Sequence, residues 1–190
     1  DVSHYRLALH LFLAFIIFIL TLWNYLKYKN QQILFHNQKL PSWLPISFIS
    51  CVIVQICMGA FVSGLDAGHI YNSWPLMNQK FFPDDSSIKD LFSMHAFETP
   101  SIVQFIHRNI AYLIILLFSF IMVIIYRNEG FIYLRNTALS IYLFILFQTF
   151  LGILTLLSGA QIILASMHQI GSILLVTTSL ILVFKNSRIN

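Results

Sequence analysis

Five long apolar runs, at about 7–26, 46–64, 102–126, 137–157 and 162–184, leave this chain few choices of fold. Each is near the ~20 residues a helix needs to cross a ~30 Å hydrocarbon core. Lipid-facing backbone must satisfy its own hydrogen bonds, and the runs lack strand-like alternation, so helices are expected. Composition agrees: 58% of residues are hydrophobic and 9% charged, against about a quarter charged in soluble domains. The expected fold is an all-α membrane protein of five transmembrane helices, the last four forming an up-down four-helix bundle.

Charge placement gives the orientation, because basic loops stay on the inner side of a membrane. Lys27, Lys29 and Lys39 follow the first run, Arg127 and Arg135 flank the turn after the third, and Lys185 and Arg188 follow the fifth. These stretches read as inner, which puts Asp1 outside. The loop 65–101 holds Asp66, Asp84, Asp85, Asp90 and Glu98 against Lys80 and Lys89, a net charge of −3, and reads as outer. The overall charge of +4 is small and spread over loops, so it carries topology and not a nucleic-acid surface. Cys51 and Cys57 share one apolar run without a CxxC pairing and read as packing residues.

Three histidines, His10, His107 and His168, lie inside these runs, and an imidazole in a membrane segment is costly without a partner. His107 comes six residues after Ser101 and His168 seven after Gln161. Both therefore sit roughly 9–11 Å below the outer boundary, on helices that run in the same direction. In an up-down bundle those helices are diagonal, an arrangement in which facing side chains hold cofactors. Two neutral imidazoles at one depth suit both axial positions of a haem iron. Zinc is disfavoured, since no third or fourth ligand of the usual type shares that depth.

A short repeat supports the pairing. Gln55-x3-Gly59 precedes the His107 run and Gln148-x3-Gly152 precedes the His168 run. Small residues near these positions, Gly59 with Ser63, Ala60 with Gly64, Gly152 with Thr155, and Gly171 with Ser172, would lower the wall around a flat ring, and equally allow ordinary close helix packing. His10 is either half of another pair or an interfacial histidine. Arg108 either snorkels outward or meets a carboxylate such as a haem propionate. His4, His36, His69 and His95 read as solvated, and Asp66, Tyr71 and Trp74 read as a turn and aromatic belt, or as a roof over an outward-opening site. No GxSxG, glycine-rich phosphate loop or membrane-embedded carboxylate pair is present.

SHYRLALHL at 3–11, GAFVSGLDAGHIYNSWPLM at 59–77, QFIHRNIAYL at 104–113, QTFLGILTLL at 148–157 and ASMHQIGSILL at 165–175 together resemble the haem A synthase family. The resemblance implies an eight-helix protein of two pseudo-symmetric bundles. Residues 1–45 would then be the last helix of a missing N-terminal bundle with its inner linker, and 46–190 the C-terminal haem-binding bundle. The opening at Asp1, without methionine or signal peptide, fits such a fragment.

By the same resemblance His107 and His168 would ligate haem b, which passes electrons. His10 would match one histidine of the N-terminal site, where haem O is bound and its C8 methyl is oxidised through hydroxylation to the formyl of haem A. The other histidine and the catalytic glutamate of that site are expected upstream of Asp1, so this extent of chain would hold haem b without turning over. The family's role implies haem O and haem A as substrate and product, and service to cytochrome oxidase. Expected partners are haem O synthase, oxidase assembly factors, membrane lipids and a further copy of the chain, but no nucleic acid. The membrane would be the bacterial plasma membrane or the mitochondrial inner membrane. The alternative is a b-type electron-transfer cytochrome without methyl oxidation.

Overall fold

A computed structural model describes residues 3–29 and 38–187. The sequence expectations for Asp1, His36 and Arg188 lie outside the described residues. Within them are five helices long and apolar enough to cross a membrane: α1 (His4–Lys29), α2 (Trp43–Gly64), α3 (Pro100–Arg127), α4 (Ile132–Leu157) and α5 (Ile162–Ser187). There are no named strands among the described residues.

Local chemistry sets the ends. Thr99 is extended and Pro100 opens α3, where its missing N–H leaves nothing unpaired. Asn128 accepts from the Gly130 amide at 2.9 Å and tightens the α3–α4 turn. At the far end of α4, Gly159 and Ala160 both take positive φ, 68° and 56°. The Ala160 amide reaches back to the Thr155 carbonyl at 2.8 Å, which reverses the chain in the manner of a left-handed helix cap.

α2 packs on α3, α3 on α4, α4 on α5, and α5 returns to α2. This closes a ring in which α3 and α5 are diagonal, as an up-down bundle requires. α1 lies outside the ring against α2 and α5.

The ring is filled unevenly. Phe48 and Val52 of α2, Phe118, Ile121 and Ile125 of α3, Leu134, Ile141 and Ile145 of α4, and Val176 and Leu182 of α5 form one buried cluster. All belong to the half of the bundle that contains the short α3–α4 turn. Phe48 and Phe118 stack there with centroids 4.5 Å apart. In the other half, no residue from Gln161 to Ile170 is buried, so side chains fill that level less completely.

Candidate site: paired histidines in the open half of the bundle

His107 lies seven residues into α3 and His168 six residues into α5, which puts both about 9–11 Å along helices that start at the same end.

Each ring rests on the glycine of a QxxxG segment. A Cβ at Gly59 would stand 3.4 Å from His107 Cε1, and one at Gly152 would stand 3.1 Å from His168 Cε1. The Gln55 amide donates to the His107 carbonyl at 3.0 Å and lies 3.3 Å from His107 Nε2. Nδ1 of both histidines is buried without a protein partner, as are Gln55 Oε1 and Gln148 Nε2. A buried polar atom left unpaired costs about 1–3 kcal/mol. Among the described residues no group of three or more His, Cys, Asp or Glu side chains gathers to hold an ion.

The small residues act differently from the expectation that they lower a wall for a flat ring. Gly59 and Gly152 make room for the imidazoles themselves. Gly64 faces away from the histidines: a Cβ there would meet His4 Cα at 2.9 Å, so it serves the α1–α2 approach. Gly171 accommodates the Gln148 amide, whose Nε2 would lie 1.9 Å from an added Cβ.

A second difference concerns His4, expected to be solvated. It is the first residue of α1, stacks between Tyr5 and Phe61 with centroids 4.3 and 5.7 Å away, and buries Nε2 without a partner. His69 and His95 are exposed as expected, His95 beside Glu98 at 3.4 Å. His10 is exposed on α1, away from the ring.

The loop above the histidines is tied down from α3. Arg108 donates to the carbonyls of Tyr71 at 2.9 Å and Ser73 at 3.0 Å, while buried Gln104 donates to the carbonyls of Ala67 at 2.9 Å and Tyr71 at 3.2 Å. The Trp74 indole donates to the Tyr112 hydroxyl at 3.1 Å. Arg108 thus binds loop carbonyls, with Nε left buried and unpartnered. Gln104 was missed in the sequence, although its spacing of four from Arg108 puts both on one helix face.

Tyr71 is 3% exposed and its hydroxyl donates to the Asp84 carboxylate. Burial, aided by Asp84 and Asp85, pushes this hydroxyl up to about 12. The same hydrogen bond holds the Asp84 carboxyl below the usual carboxylate range. Asp90 is lowered too, because the Ser87 amide and hydroxyl both donate to it, at 2.7 and 2.9 Å.

Taken together, the ring of helices defines a multi-pass helical membrane protein, with His107 and His168 at matched depth on its diagonal helices. The chain belongs to the COX15-CtaA family of cytochrome oxidase assembly proteins, whose profile matches residues 1–180. It is 44% identical over 187 residues to haem A synthase of Pelagibacter ubique, which covers 98% of this chain and 54% of that protein. It is 38% identical over 180 residues to haem A synthase of Rickettsia rickettsii, covering 93% and 52%, and 39% identical to that of Wolbachia pipientis, covering 92% and 51%. The chain spans about half the length of the curated relatives it matches. No solved structure matches it.

Proposed function

We propose that this chain is the haem b-holding C-terminal part of a haem A synthase. In that enzyme the C8 methyl of haem O is oxidised to the formyl of haem A, in a bacterial plasma membrane. His107 and His168 would hold the iron, and the bound haem b would supply one-electron transfer to the oxidising site. The observation that carries the reading is the pair of rings at matched depth on diagonal helices, each nested on the glycine of a QxxxG segment.

What the chain's own residues do follows from the geometry. Gly59 and Gly152 let the rings approach α2 and α4, and Gln55 fixes the backbone of His107. Arg108 and Gln104 hold the loop 71–76 over the outer end, which limits access of water. Residues 1–45 fit the last helix of an N-terminal bundle with its linker, and 46–190 the second bundle. On this division His10 belongs to the other haem site, and the groups that touch the methyl are sought in the half of its relatives' length that this chain does not span. Haem O synthase, oxidase assembly factors and a second copy of the chain are the partners such a role implies.

A b-type cytochrome without methyl oxidation is the second reading, favoured by the histidine pair being complete in this chain alone. The full-length protein separates the two. Extracted haem is separated by chromatography, and spectra are recorded for wild type and for His168→Ala. The enzyme reading expects haem A in the wild type and loss of the low-spin b-type spectrum in the variant. A wild type with haem b and no haem A selects the cytochrome, and a variant that keeps the low-spin spectrum removes His168 as a ligand.

A further inference from the structure

At the other end of the bundle α4 and α5 leave a groove of about 260 Å³, lined by Asn136, Thr137, Ser140, Thr178, Ile181 and Lys185. The three α4 positions and the three α5 positions each recur at helical spacing, so two polar faces meet across one seam. This end is the basic one: Lys27 and Lys29 close α1 and Arg127 closes α3. It is the inner end by the positive-inside rule.

Lys185 is half-buried, and its ammonium donates to the Thr137 hydroxyl at 2.8 Å. That acceptor is neutral. Among the described residues the ion pairs are His95 with Glu98 and Arg135 with Glu129, so no carboxylate there meets this cation. A partly desolvated ammonium without an anion is an unfavourable arrangement.

Apart from Ile181, the rest of the groove is lined by polar residues on the outer surface of a membrane bundle, where apolar side chains are the rule. Asn136 and Ser140 are exposed and Thr178 is half-exposed. The Ser140 hydroxyl donates to the Asn136 carbonyl at 3.0 Å, and that of Thr178 to the Leu174 carbonyl at 2.9 Å, so both oxygens remain acceptors. From Lys185 to Thr178 is seven residues, which carries this polar wall about 10 Å along the helix from the inner end. That is the depth of a phospholipid's phosphate and glycerol region.

We infer that this groove binds one inner-leaflet anionic phospholipid. The phosphate meets Lys185 and the Asn136 amide, and the glycerol esters and first acyl carbons lie deeper, along Ser140, Thr178 and Ile181. Basic pockets between membrane helices on the inner side recognise such headgroups by the same chemistry.

Full-length protein in mild detergent is offered equal amounts of phosphatidylglycerol and phosphatidylethanolamine, and retained lipid is counted by native mass spectrometry. Wild type is expected to keep one phosphatidylglycerol in preference. Lys185→Gln lowers that retention about fivefold, the share of one lysine near an anionic headgroup. Lys185→Arg keeps it, and Lys29→Gln, at the same end but outside the groove, leaves it unchanged. Ser140→Trp fills the groove while sparing the ammonium, and lowers retention even if Lys185→Gln does not fold. Equal retention of the two lipids by wild type, or retention unaffected by either groove variant, overturns the site. Displacement of the lipid by millimolar inorganic phosphate overturns the lipid assignment.

Discussion

One methyl group distinguishes the two QxxxG glycines. At Gly59 an added Cβ makes ordinary contact with His107, whereas at Gly152 it crowds His168 at 3.1 Å. Gly59→Ala should therefore be neutral or stabilising by up to about 1 kcal/mol, the helix preference of alanine. Gly152→Ala should shift the His168 ring and lower the b-type absorbance of the full-length protein. Equal spectra for both variants would show that ring position is not set by these glycines. Tyr71 and Asp84 set a pH window for the outer loop. Asp84 is depressed in the folded state, so its contribution is present above the ordinary value of 3.8 and fades as pH falls below it. Tyr71 is raised, so its contribution is present below 10 and is lost as pH climbs from 10 through about 12. Tryptophan fluorescence, with Trp74 in the same loop, should be flat between these limits and change beyond them, and Tyr71→Phe should remove the alkaline change. The histidines were legible because polar residues in apolar runs stand out. Gln104 and Arg108 were only half legible, since their acceptors are backbone carbonyls 32 to 37 residues away that leave no trace in composition.

At the scale of elements, two tethers hold what periodicity does not describe. Asn186 of α5 is buried and closes a two-way bond with Leu40, accepting from its amide at 2.9 Å and donating to its carbonyl at 3.0 Å. Asn186→Ala strands both backbone groups and should lower stability in detergent by about 1–3 kcal/mol, read by thermal unfolding. The neighbouring Ser187→Ala is the comparison, because that hydroxyl bonds only within its own helix. Arg108→Ala should leave the helical circular dichroism intact and speed protease cleavage after Lys80, because the loop 71–76 loses its anchors. Arg108→Lys should recover little, since an ammonium cannot span several carbonyls as a planar guanidinium does. Helix count and diagonal order were readable from run length and charge, whereas a bond joining residues 146 positions apart belongs to the folded chain alone.

The whole molecule has one densely packed half and one open half, and its charges say which faces inward. Cysteines introduced singly at exposed positions test this: Lys89→Cys should react with a membrane-impermeant maleimide on intact cells, and Ser187→Cys only after permeabilisation. The reverse pattern would invert the orientation and move the histidines to the inner side. The helix outside the ring gives the architecture a further property. Three of the ring's seams are joined by chain, the α2–α3 loop and the two turns after it, whereas α2 and α5 meet with no direct connection. α1 lies along that seam, with Gly64 drawing it against α2 and Trp23 set edge-on against Phe184 of α5, centroids 5.4 Å apart. It works as the clasp of a hoop, bridging the one seam of the ring that no loop joins.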